Sequence, residues 1–259
     1  MSLKQLMKDM TLLPGRISFY YKNLATGENT ALNASSPLLA ASTIKLFIMG
    51  EAFRRAEEGS LSFNELITVP REKCVPSCGA LYYMHDGLQV TVGDLVTLMI
   101  ILSDNTATNL LIDILGIEKI NAFIRSLGME KSTLRRKMFD SEASARGLEN
   151  EITASELGKF LEMLYRGEVV SPKASEDMIS IMKNQRLNGK IPAPFTSVRE
   201  KVEIAHKTGE DTGITHDVGI VYGPEPFIVC FDGNETDTAA LNRLMGDMTY
   251  ELYLQNGGK

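Results

Sequence analysis

Ser42 and Lys45 stand three residues apart in "ASTIKLFIM", a stretch that is otherwise apolar. On a helix that spacing sets both side chains on one face, a turn apart. A neutral amine there can take the proton of the alcohol, and a charged one lowers the cost of forming an alkoxide. If Ser42 opens the helix, the positive end of the dipole adds to the effect. A lysine among apolar neighbours can also lay its stem on them and lift its charge to water. Spacing alone decides nothing, because Ser180 and Lys183 repeat it on what reads as a plain helix surface.

What separates the first pair is its company: "SDN" at 103–105 and "KTG" at 207–209 follow in that order. Ser103, at a corner between two helical stretches, can relay a proton to a leaving nitrogen, and the amide of Asn105 can hold a substrate amide. Lys207 and Thr208 can bind a substrate carboxylate, while Gly209 lets a strand approach the ligand closely and pair with its amides. Each motif has a plainer use. Serine favours helix caps, and "KTGEDTG" is rich in turn formers. Three motifs in order, each on the kind of element its chemistry needs, point together to acyl transfer through a serine.

The elements that must position these residues are legible in outline. "RISFYYKNL" alternates Ile17, Phe19 and Tyr21 and runs into the turn "ATGEN", as a strand entering a hairpin does. Residues 42–58 have a helical pattern that stops at Gly59. "TVGDLVTLMIIL" opens with Thr91 and Asp94 in capping-box spacing and is apolar nearly all round, as a buried helix is. "TASELGKFLEML" starts with a Thr153/Glu156 box, and "SPKASEDMISIMKNQ" with Ser171 as cap and Pro172 in the first turn. Past residue 200, "KVEIAHKTG", "HDVGIVYG" and "PFIVCFDG" read as strands and "TAALNRLMGDMTYELYL" as a closing amphipathic helix. The expected fold is α/β: an antiparallel sheet from both chain ends, flanked by helices, with an inserted all-α lobe. Residues 1–50 and 195–259 make the α/β lobe and 51–194 the helical lobe of a single domain, with a crevice for a small molecule between them.

Composition removes other classes of function. With 44% hydrophobic and 23% charged residues among 259, the chain can bury a large core. A formal charge of −6 repels phosphate backbones, and Lys and Arg nowhere cluster with aromatics. The expected partner is a small-molecule substrate, with neither nucleic acid nor membrane, no cofactor, and a monomeric chain. No apolar segment with a small-residue cleavage site follows the first lysines. The protein is expected to be cytoplasmic as written, or exported with its leader outside this sequence. Cys74, Cys78 and Cys230 are odd in number and argue against a disulfide framework. Cys74 and Cys78 can pair or, with His85, approach a metal, but the four soft ligands of a finger are missing. No metal is expected. His206 and His216 flank the "KTG" segment and read as strand residues, Asp217 as structural.

The chain resembles the class A β-lactamase family of penicillin-recognising serine hydrolases. The likeness runs from the first strand through "NASSPLLAASTIKL", "HDGLQVTVGDLVTLMIILSDNTATNLLID" and "HKTGEDTGITHDVGIVYG". It implies a sheet-containing lobe joined to an all-α lobe, acylation of Ser42 by a β-lactam or D-Ala-D-Ala-like amide, and an oxyanion hole from the backbone N–H groups of Ser42 and Glu210. It also places the Tyr82–Tyr83 pair on a substrate-gating loop, where an ordinary packed pair is the other reading. Two departures stand out. The Glu-x-x-Leu-Asn segment whose glutamate activates the deacylating water is absent, and the loop reads "LRRKMFDSEASARGLEN". Asp140, Glu142 and Glu149 are the candidate substitutes, with Arg135, Arg136 and Arg146 as plain ion-pair partners. The side chain of Glu210 would also lie near the place of a substrate carboxylate unless it points away. Three functions therefore stay open: a β-lactamase-like hydrolase, a penicillin-binding-protein-like D-Ala-D-Ala peptidase or esterase, and a non-enzymatic sensing module acylated once.

Overall fold

In the computed structural model, which describes residues 2–197 and 202–259, the two chain ends meet in one sheet. The elements run α1 (Leu3–Leu12), β1 (Arg16–Asn23), β2 (Asn29–Leu32), β3 (Leu38–Leu39), α2 (Lys45–Glu57), β4 (Leu66–Val69), β5 (Leu88–Thr91), α3 (Val92–Ile101), α4 (Asn105–Leu115) and α5 (Ile117–Ser126). They continue with α6 (Ser141–Ala145), β6 (Glu151–Ile152), α7 (Ala154–Tyr165), α8 (Pro172–Lys183), β7 (Glu203–Asp211), β8 (Ile214–Tyr222), β9 (Phe227–Asn234) and α9 (Thr238–Gln255). Strands β2-β1-β9-β8-β7 form the antiparallel sheet in that order, so β7 is an edge strand. Two short ribbons, β3-β6 and β4-β5, lie apart from it.

Alternation along the strands sorts their side chains between two cores. Ala205, Val218, Ile220, Ile228 and Cys230 face a large core shared with helices α2, α3, α4, α5, α7 and α8. Ile17, Phe19, Tyr21, Val229 and Phe231 face the other way, onto Leu6 and Met10 of α1 and Leu241, Met245 and Leu252 of α9. The rings of Phe19 and Phe231 lie 5.1 Å apart across the β1–β9 pair. Helix α2 passes through the large core and is buried from Lys45 to Phe53 without a break. That path, rather than any preference of lysine, is what carries Lys45 out of water.

Several local expectations hold and a few change. Thr91 and Asp94 form a reciprocal capping box on α3, and Ser171 caps α8 by accepting from the Ala174 N–H. At α7 only half of the expected box forms. Thr153 accepts from the Glu156 N–H, but the Glu156 carboxylate turns away to accept from the backbone N–H groups of Glu130, Lys131 and Ser132. Three orphan donors outbid the single one at the cap. Ser42 does not open an α-helix either: residues Ala41–Ile44 form a 3₁₀ turn, and α2 begins at Lys45. Ala41, at φ +41°, bends the chain into that turn. Of the predicted strand 201–209, Lys201 lies outside the described residues.

Candidate active site

The corner between α3 and α4 is the centre of the site. Ser103 there has φ +54°, a left-handed conformation that costs a serine about 1–3 kcal/mol and needs its surroundings to hold it. Asp104 supplies the hold: it caps α4 through the Ala107 N–H and accepts from the Ala80 and Leu81 N–H groups of the preceding loop. Asp104, not Ser103, is therefore the cap, and Ser103 is left free of that duty. Gly79 is needed where this loop crosses, since a Cβ there would lie 2.3 Å from the Asp104 carboxyl.

Two amines converge on the Ser103 hydroxyl. Lys45 Nζ donates to Ser103 Oγ at 3.1 Å, to Ser103 O at 2.8 Å and to Asn105 Oδ1 at 2.8 Å. Lys207 Nζ donates to the same Ser103 Oγ at 3.1 Å and to Thr208 O at 2.8 Å. With both lone pairs engaged, the proton of Ser103 is the group it has left to offer. Asn105, its carbonyl spent on Lys45, has an amide N–H₂ to present to the cleft. Burial, then the neighbouring Lys207, push the Lys45 amine well below its ordinary range. Burial likewise brings Lys207 down to about 7, with Asp217 pulling it up and Lys190 adding to the fall.

Among the described residues none of the Lys45 hydrogen bonds goes to Ser42. The 103–105 corner offers the buried Lys45 nitrogen three acceptors where Ser42 offers one. Ser42, Asn105 and Glu210 line a cleft of about 650 Å³, and Lys45, Ser103, Lys207 and Thr208 are buried within its wall. A Cβ at Gly209 would stand 2.9 Å from His216 on β8 and 3.3 Å from the Thr43 methyl, in the turn that carries Ser42.

Lys190, which no sequence motif marked, completes this wall. It is buried, donates to Gly209 O at 3.2 Å and His216 O at 3.0 Å, and pairs with Glu210 Oε1 at 3.0 Å. The Glu210 carboxylate is thus at the cleft, as feared from sequence, but tethered. Cys78 lines the cleft too, and its carbonyl accepts from the Asn105 N–H at 3.3 Å. Cys74, Cys78 and Cys230 are all free thiols, so Cys74 and Cys78 do not pair.

The three candidate carboxylates separate. Asp140 and Glu149 line the cleft with Ser42; Glu142 is exposed and does not. Asp140 gives one oxygen to the Ala143 N–H as the cap of α6. Glu149 has Oε2 bound by Arg136 at 2.7 Å and 2.9 Å and Oε1 by the Ser144 hydroxyl. Burial alone would raise its carboxyl, but the bonds from Ser144 and Arg136 outweigh that and hold it below the usual range. Arg135 pairs instead with Glu151.

His206 and His216 make structural contacts. His206 Nδ1 lies 2.8 Å from Asp217 and its Nε2 3.0 Å from Asn188. His216 donates from Nε2 to Leu39 O and accepts at Nδ1 from the Gly233 N–H, which fixes a neutral tautomer; burial lowers it to about 4. Tyr82 and Tyr83 pack edge to face with Arg71 over Tyr82, and neither lines the cleft.

Comparison with known proteins identifies the family and the fold. The model of the beta-lactamase enzyme family matches residues 2–253. A beta-lactamase of Rhodobacter capsulatus is 26% identical over 233 residues, covering 87% of this chain and 77% of that protein. The crystal structure of the beta-lactamase from Sphaerobacter thermophilus superimposes with a TM-score of 0.90 at 29% identity, over 99% of this chain and 97% of the other. An acyl-enzyme complex of a PBP-A mutant with penicillin-G gives 0.86 at 25% identity, over 98% and 95%.

Proposed function

Because the chain belongs to the beta-lactamase enzyme family, we propose that it is a serine hydrolase that opens β-lactams, or related amides and esters, by acylating Ser42. The observation that carries this reading is the Ser103 hydroxyl held between two buried amines, beside a cleft lined by Ser42. The oxygen of Ser42 attacks the carbonyl carbon and its proton passes to the neutral amine of Lys45. Lys45 hands a proton to Ser103 across their 3.1 Å hydrogen bond, and Ser103 gives its own to the departing nitrogen as the C–N bond breaks. The charge on the carbonyl oxygen is met by the N–H groups of Ser42 and Glu210. Asn105 holds the side-chain amide of the substrate, and Lys207 with Thr208 its carboxylate.

Water must then cleave the ester. Asp140 is the carboxylate we assign to that step, because it lines the cleft with one oxygen outside its cap, whereas both oxygens of Glu149 are occupied. A single, partly committed base makes deacylation slow. That same feature favours a second reading, a penicillin-binding-protein-like peptidase or esterase in which β-lactams stay attached.

Incubation with a chromogenic cephalosporin, read by colour and by intact mass, tests both. The expected result is an adduct on Ser42 with slow turnover, and Ser42→Ala lowering the rate by about 10³-fold or more. Labelling and hydrolysis unchanged in that variant would overturn the proposal. A permanent adduct together with cleavage of a D-Ala-D-Ala ester would select the second reading.

A further inference from the structure

Among the described residues strand β7 pairs with β8 on one side only, and the turn that carries Ser42 packs against it at Gly209. A peptide on such an edge has half the restraint of one inside a sheet. Lys190 restores it. Its ammonium meets the carbonyls of Gly209 and His216, which are paired across β7 and β8, so the Gly209 carbonyl is drawn to the β8 side. The peptide bonds described here are all trans. In a trans peptide the N–H points opposite to the C=O, so the Glu210 N–H is aimed at the open edge, into the cleft that Ser42 lines.

The cost of burying the ammonium is met by hydrogen bonds to two carbonyls and by an ion pair with the Glu210 carboxylate at 3.0 Å. Glu210 thus enters twice. Its backbone faces the reaction, and its side chain, more than half exposed at the cleft, anchors the lysine that orients that backbone.

Resting on acylation at Ser42 as proposed above, we infer that Lys190 is a positioning residue: through the Gly209 carbonyl it fixes the tilt of the Gly209–Glu210 peptide, and so aims the Glu210 N–H at the oxygen that becomes negative when Ser42 attacks. It touches no reacting atom. Its contribution is expected in the acylation step and in the polarisation of the acyl carbonyl, with ground-state binding little changed.

The test is rapid-mixing acylation with a chromogenic cephalosporin, paired with the infrared band of the ester carbonyl in the trapped acyl-enzyme. Lys190→Met keeps the length and loses every donor. It should slow acylation about 10–100-fold at similar Kd for the non-covalent complex and move the ester band to higher frequency, as a weakly hydrogen-bonded carbonyl does. Lys190→Arg, which keeps donors and charge, should return both towards wild type. If the methionine variant does not fold, Lys190→Gln, with donors but no charge, should show the same band shift at smaller size. A folded Met or Gln variant with wild-type rate and wild-type band overturns the inference. Failure of wild-type protein to label at Ser42 would overturn the function and this inference together.

Discussion

Ser103 occupies a left-handed backbone conformation that glycine would adopt at less cost, yet glycine would leave two buried amines without a shared acceptor. Strain at this residue is the physical cost of bringing one hydroxyl to both lysines. The two lysines then differ in duty, and acidity tells them apart. The Lys207 amine is charged below about 7 and neutral above it. For a substrate that carries a carboxylate, kcat/KM should therefore fall as pH rises through about 7, by roughly tenfold per unit at most. An ester without a carboxylate should lack that alkaline limb, and Lys207→Arg should move the limb beyond the accessible range. The same limb with both substrates would remove Lys207 from carboxylate binding. At this scale the sequence was generous, because Ser42, Lys45, Ser103, Asn105 and 207–209 are marked by short motifs. Lys190 was not legible. It sits in "NGKIPAP" with no partner nearby in sequence, and its three contacts exist only once β7 and β8 have paired.

The loop between α5 and α6 is irregular yet tightly held, and asparagine side chains do the holding. Asn121 accepts from the Leu134 N–H and donates to its carbonyl, Asn109 makes the same reciprocal pair with Met138, and Asn150 spans Arg135 and Arg136. An asparagine amide pairs with a peptide as a strand neighbour would, so these residues replace a missing sheet. Directly after the Met138 clamp, Phe139 stands at φ +62°, half exposed at the cleft, and Asp140 follows. Asn109→Ala should cost about 1–3 kcal/mol in a urea melt. It should also slow deacylation more than acylation, because Asp140 would lose its fixed position while Ser42 would not. Equal effects on both steps would show that the clamp does not serve Asp140. Helix starts such as Thr91/Asp94 could be read from spacing, since both partners are local. The clamps could not: each joins residues 13 to 29 positions apart, and nothing in the loop's composition says which asparagine reaches which peptide.

Over the whole molecule, the two-ended sheet, its order of elements and its flanking helices follow the alternation of apolar residues, and the fold is that of the class A enzymes. The buried polar layer between the cores was less visible. Asp232 is fully buried on β9, with no hydrogen bond to either carboxyl oxygen among the described residues. Burial, then Asp217, raise it from 3.8 to about 8. The folded protein thus keeps a proton that the unfolded chain loses, so stability from this group falls as pH rises from about 4 to 8. Asp232→Asn removes that dependence, and its urea midpoint should exceed wild type by more at pH 8 than at pH 5. A constant difference would mean that Asp232 titrates normally.

The free margin of β7 has one more consequence. A row of backbone groups left unpaired so that a ligand can lie along it is equally a template for a strand of another molecule. Over Gly209 the turn carrying Ser42 shields the row, and beyond it Glu210 and Asp211 stand exposed, two like charges on a chain that is already net negative. Charged side chains on an edge disfavour such pairing. Neutralising them to win tighter binding of anionic ligands would open the same margin to ribbon-like stacking, so affinity and solubility are set against each other along a single strand.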